Sequence, residues 1–190
     1  MRRSAILGSV LLLSAAPARA DSGTLPNNSY APDKLYQLIS PPMSGTVKHN
    51  QSSVVNGWLF LAGNAKHELW DIHDPTHPKL KSKFESPHHD GEAESHSVSL
   101  ARRGDSFYAV TISGKGVDFW DLTNADSPKL LSSLLLEGID YGDNTNAVWG
   151  VSWQGRYVWV GGTNTGLHVV DAGDLANPEL VKLCAQLGDL

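Results

Sequence analysis

The sequence predicts an all-β fold of tandem four-stranded antiparallel units. Three observations predict it. A motif recurs at a fixed spacing; runs of β-branched and aromatic residues alternate with turn residues; and no segment after the first twenty residues has helical periodicity.

The first twenty residues form a separate element. Arg2 and Arg3 are followed by an apolar run from Ala5 to Ala16 and then by Pro17-Ala18-Arg19-Ala20. A charged start, a short apolar stretch and an A-x-A ending make a secretory signal peptide, residues 1–20, with the small side chains of Ala18 and Ala20 at the two recognition positions. The apolar run is too short to span a bilayer, which takes about 20 residues. Asp21 rather than Cys follows the cleavage point, so no lipid anchor is expected, and no transmembrane span remains after cleavage. The expected location is periplasmic or secreted. Residues 21–45, with Pro26, Pro32, Pro41 and Pro42 among several Asn and Ser, read as an extended lead-in.

The repeats follow. ELWDIHDPTHPKL (68–80), DFWDLTNADSPKL (118–130) and HVVDAGDLANPEL (168–180) align at an offset of 50 residues without gaps. Asp71, Asp121 and Asp171 coincide, as do Asp74, Asn124 and Asp174, and Pro78, Pro128 and Pro178. An Asp that ends a strand, with Asp or Asn three residues on, accepts hydrogen bonds from turn N–H groups. Pro, with fixed φ and no donor, suits the start of an outer strand. These nine residues are therefore read as structural turn residues.

Each copy carries three further runs. In the second copy, strands are expected at 96–101, 106–112, 117–122 and 128–136, separated by Arg102–Asp105, Gly114–Gly116 and the Asp–Pro turn. The first copy reads 52–56, 58–62, 67–72 and 78–84, and the third 147–153, 157–161, 167–170 and 178–183. The repeats span about 46–87, 95–137 and 146–187. Four-stranded units in tandem at this spacing predict β-propeller blades.

Trp-Asp at 70–71 and 120–121 matches WD40 repeats only superficially, because the Gly-His signature of that family is missing. The Asp-x-x-[Asp/Asn]-x-x-x-Pro-x-Leu tail resembles instead the LVIVD repeat of exported bacterial propeller-like proteins. Leu167-His-Val-Val-Asp171 comes closest to the naming motif, and Leu69-Trp70 and Phe119-Trp120 depart from it. The resemblance covers roughly residues 46–187. It implies fold and exported location but no catalytic residue.

Closed propellers need about four to eight blades. Three blades imply an open or incomplete ring: a truncated product of a longer gene (the favoured expectation), self-association of two arcs into a six-bladed ring, or a stable open fragment.

Composition narrows the function. Of 15 Lys and Arg, Arg2, Arg3 and Arg19 leave with the signal peptide, so 12 remain against 20 Asp and Glu, a balance of −8. Such a charge argues against nucleic-acid partners, which need basic patches. The single cysteine, Cys184, cannot form an internal disulfide; it aligns with Leu134 and Phe84 and is expected in the core.

Candidate chemistry concentrates in the connection between the first two repeats, Glu85 to His96, where seven of twelve residues are His, Asp or Glu. Aligning Gly57 with Gly104 sets His49 opposite His96, so His49, His88, His89, Asp90 and His96 form a candidate metal set at one channel mouth. Imidazole with carboxylate suits a divalent ion such as Zn²⁺ or Cu²⁺, although the spacing matches no defined motif. His73 and His77 read as surface turn residues, and Trp70 and Trp120 as packing between blades. Trp149, Trp153 and Trp159 alternate at strand period, and an exposed face among them could stack on a sugar. Gly150-Val-Ser152-Trp-Gln-Gly155 lacks the G-x-S-x-G pattern, and Gly114-Lys-Gly116 leads into no helix, which removes hydrolase and phosphate-loop readings. The reading favoured is a non-enzymatic exported module that binds a protein partner or displays a surface. The alternatives are a metal-binding or enzymatic propeller using the His/acid mouth and a carbohydrate-binding module.

Overall fold

A computed structural model describes residues 49–63, 66–87, 95–140 and 146–184. The proposed signal peptide (1–20), the lead-in (21–45), and His88, His89 and Asp90 lie outside the described residues. The strands belong to one compact unit, Tyr36–Leu190.

Twelve strands form three four-stranded antiparallel sheets, each meandering in sequence order. Blade one holds β1 (His49–Val55), β2 (Trp58–Gly63), β3 (Lys66–Asp71) and β4 (Lys79–Glu85). Blade two holds β5 (Val98–Arg103), β6 (Ser106–Ser113), β7 (Gly116–Asp121) and β8 (Lys129–Leu135). Blade three holds β9 (Val148–Gln154), β10 (Tyr157–Gly162), β11 (Leu167–Asp171) and β12 (Glu179–Cys184). The expected all-β tandem blades are therefore present, with strand ends displaced by a few residues. Pro78, Pro128 and Pro178 sit immediately before the fourth strand of each blade rather than in it.

The first hairpin of each blade shows how turn chemistry fixes register. Asn56 and Gly57 both take positive φ, 45° and 79°, the type I′ pattern. Gly104 and Gly155 take positive φ at the first turn position only, 61° and 59°, the pattern of type II′. The hairpins also differ in length. Trp58, opposite Asp71, pairs with Val55 next to the turn. Tyr108, opposite Asp121, pairs with Ala101, so blade two carries Arg102 and Arg103 as an extension of its inner strand.

Alternation along the strands gives each blade two apolar faces, and these stack front to back. Phe60, Ala62, Leu69 and Phe84 on the front of blade one meet Val98, Phe107, Ala109, Trp120 and Leu122 on the back of blade two. Val110, Ile112, Val117 and Phe119 on the front of blade two meet Val148, Val151, Val158, Val160, Val170 and Ala172 on the back of blade three. Trp120 is the wedge of the first junction. Its ring lies 4.8 Å from that of Phe84 and 5.9 Å from that of His67, and its indole N–H donates to Thr111 Oγ1 at 3.0 Å.

The inner strands of neighbouring blades are tied by serine hydroxyls. Ser53 donates to Val98 O at 3.3 Å. Val151 N donates to Ser97 Oγ at 3.0 Å, and Trp153 N to Ser99 Oγ at 3.0 Å. Ser53, Ser99 and Ser152 hold the same register position in β1, β5 and β9.

Trp120→Ala should cost about 3–5 kcal/mol by emptying the junction. Trp120→Phe should cost less, retaining the ring while leaving the buried Thr111 hydroxyl without its donor. Urea unfolding of the three proteins measures both.

Candidate interaction surface

The Asp–Pro turns are hydrogen-bonded alike in all three blades. Asp71, Asp121 and Asp171 each accept, through Oδ1, the backbone N–H two residues on, from His73 at 3.0 Å, Thr123 at 2.8 Å and Gly173 at 2.8 Å. Asp74, Asn124 and Asp174 do the same for Thr76, Asp126 and Ala176 at 3.0, 3.2 and 2.9 Å. A backbone bond from His77, Ser127 or Asn177 to the carbonyl of residue 74, 124 or 174 closes each turn. Donors lower the carboxyl pKa values. The Thr76 hydroxyl, with help from His77, pulls Asp74 from 3.8 to about 2. Asp71 is lowered first by the His73 N–H, Asp171 by Arg156 and Asp174 by Asn177.

The candidate metal residues are placed as follows. His49 lies in β1, paired in register with Gly63. His96 lies two residues before β5, its ring centre 4.6 Å from that of Trp149 of blade three and tilted 55° to it. Among the described residues no three His, Cys, Asp or Glu are grouped to hold a metal ion. Cys184 ends β12, paired with Leu167.

Two features escaped the sequence reading. The first is a buried ionisable residue at one repeat position, Glu68, Asp118 and His168, on the back-facing side of the third strand. Lys83 Nζ lies 2.7 Å from Glu68, whose other oxygen accepts from the Trp70 indole at 3.0 Å. Asp118 accepts from Ser133 Oγ at 2.6 Å and from Ser86 Oγ of the preceding connection, so this carboxylate crosses a junction. His168 meets Thr165 Oγ1 through Nε2 at 3.1 Å, its Nδ1 is buried without a hydrogen bond, and burial lowers its pKa. All three stood first in the aligned motif strings; polar residues inside apolar strands were the available signal.

The second is the front face of blade three. Phe60 and Val110 are fully buried by the blade that follows each, whereas Trp159 at the same position is 39% exposed. Tyr157 stands where Trp58 and Tyr108 stand and is exposed. At position 81 the side chain reaches the next blade: Lys81 pairs with Asp126 at 2.7 Å, and Leu131 packs into the second junction. Val181 at that position is 56% exposed. Ser132 bonds to Leu175 O of the next blade, and Ser53 and Ser99 bridge forward; Ser152, their counterpart in β9, is exposed. The face has the composition of a blade junction and no described blade upon it.

Consecutive four-stranded antiparallel sheets stacked front to back define a propeller-type repeat protein. Within it, residues 147–186, which contain all of blade three, match the LVIVD repeat. No curated protein sequence matches the chain. Among solved structures, Hsv2 of Kluyveromyces lactis is similar at 12% identity and a TM-score of 0.44, over 72% of this chain and 38% of that one. A form of the same protein with loop 6CD replaced by a Gly-Ser linker gives 12% identity and 0.45, over 72% of this chain and 40% of that one. The chain thus spans about two fifths of the length of these structures.

Stability should fall in two stages on acidification. The folded-state pKa of His168 lies below the ordinary 6.5, so its contribution is complete above pH 6.5 and is lost as pH falls below it, where the unfolded chain takes the proton first. The turn carboxylates, lowered from 3.8, contribute above that pH and lose the contribution as pH falls toward 2. Melting temperature against pH measures both, and His168→Gln should flatten the first stage while leaving the second.

Proposed function

We propose that the chain is an exported, non-enzymatic binding module that engages another polypeptide, a second copy of itself included, through the bare front face of blade three. The single observation that carries this reading is the contrast between Trp159 and its buried counterparts Phe60 and Val110. Apolar residues that form the interior of two successive junctions are here left facing solvent, and contiguous exposed apolar surface marks interaction sites. Support for export is confined to the sequence of residues 1–20, with its charged start and A-x-A ending.

A second reading, sugar binding on the same face, draws on Tyr157 and Trp159, two exposed aromatic rings on one side of β10. Planar rings on a sheet can stack on pyranose faces. The metal-binding reading has less support, since of its five residues only the His96 side chain has a described environment, and that ring packs at a tilt against Trp149.

Light scattering on residues 21–190 separates the first two readings. The polypeptide-binding reading expects association beyond the single-chain mass, reversed by Trp159→Glu without loss of melting temperature. A single-chain mass for both proteins, with tryptophan fluorescence quenched by soluble glycans in the parent alone, would replace it with the sugar reading. Metal analysis of the untagged protein, expected to find no stoichiometric Zn²⁺ or Cu²⁺, tests the third.

A further inference from the structure

We propose that the cleft between blades one and two is a binding site for a guanidinium group. The junction between blades two and three already holds such a group. There Arg103, from the hairpin extension of blade two, donates to Ala172 O at 2.6 Å and Gly173 O at 3.1 Å, with its guanidinium carbon 5.2 Å from the centre of the Trp153 ring. Two backbone carbonyls and an aromatic surface hold the planar cation, an arrangement suited to arginine's forked donors.

Junction one presents the same carbonyl positions without the arginine. Leu122 and Thr123 correspond to Ala172 and Gly173: Leu122 N bonds to Phe107 O as Ala172 N bonds to Arg156 O. The blade that should supply the arginine is blade one, whose hairpin turns at Asn56-Gly57, two residues per strand earlier, and so has no residue at the position of Arg103; its Val55 and Asn56 line the cleft instead. A cavity of about 120 Å³ lies there, lined by Leu122 and Thr123 together with Trp58, Phe107, Arg102 and Asp105.

Trp58 supplies an aromatic wall and Asp105 a carboxylate in the hairpin turn. Arg102, the back-facing residue of the extension, places a positive charge on the same cleft. Neither Arg102 nor Asp105 makes an ion pair with another described side chain. The charges therefore suit a dipolar ligand: the guanidinium enters toward Asp105 and the Leu122–Thr123 backbone, and an attached carboxylate pairs with Arg102. The ligand class is arginine carrying a free carboxylate, either the amino acid or the last residue of a polypeptide.

NMR titration of residues 21–190 with Nα-acetyl-L-arginine tests this, with Nα-acetyl-L-citrulline as the uncharged isostere. Saturable shifts are expected at the Phe107, Leu122 and Thr123 amides and the Trp58 indole, at least about tenfold weaker for citrulline and for Asp105→Asn, since a charged hydrogen bond is lost in each. Arg102→Ala should remove the preference for the free acid over its amide. A peptide ending in arginine that binds more tightly than the amino acid derivative identifies a polypeptide source, and equal binding identifies the amino acid. Absence of saturable shifts, citrulline binding as well as arginine, or Asp105→Asn binding like the parent would overturn the proposal; Asp105 is exposed in a turn, so that variant keeps the fold.

Discussion

Everything else in this structure depends on the front-to-back stacking of apolar sheet faces. A single four-stranded sheet with two apolar faces cannot bury both by itself. Each blade is therefore stable to the extent that its neighbours cover it, and the positions that matter recur: 60, 110 and 159; 69, 119 and 169; 70, 120 and 170. Junction one is aromatic, built from Phe60, Phe84 and Trp120, while junction two is mostly β-branched, built from Val110, Val148, Val158 and Val170. Two different packings serve one geometry because the serine bridges between inner strands set the spacing of the blades near their inner edges, leaving the outer strands to adapt.

The stacking also explains where polar groups can survive burial. Asp118 is buried at a junction yet satisfied, because Ser86 from the preceding connection and Ser133 from the adjacent strand both donate to it. Glu68 finds Lys83 across the strand pair. Among the described residues His168 bonds to Thr165, and its environment favours the uncharged ring. One repeat position thus carries three solutions to the same desolvation problem: two hydroxyl donors, a lysine partner, and neutrality.

Much of the fold was legible in the sequence because its determinants are local. The Asp-x-x-[Asp/Asn]-x-x-x-Pro pattern encodes a turn whose hydrogen bonds all fall within a few residues, and the strands flanking it are marked by β-branched and aromatic runs. What was not legible depends on which face a residue occupies and what lies across from it. Trp120 could be assigned to packing between blades, but its donation to Thr111 could not. Trp153 in β9 and Trp159 in β10 look alike in the sequence, yet one packs on Phe119 and Arg103 while the other faces solvent. The arginine cleft was hidden for a different reason. It arises from the two-residue difference in hairpin length between blades one and two, and aligning Gly57 with Gly104 does not show which side chains the longer hairpin carries toward a neighbouring blade.

The closure of each Asp–Pro turn within eight residues bears on the order of events when the chain folds. Such a loop loses little entropy on closing and needs no distant partner. The third and fourth strands of a blade can therefore zip from the turn at any stage, and the meander adds the second and first strands by further short hairpins. Contacts between blades involve separations of about fifty residues and come afterwards. The chain is accordingly a set of quick local units joined by slower docking events, and its kinetic barrier lies in bringing one finished sheet against the next.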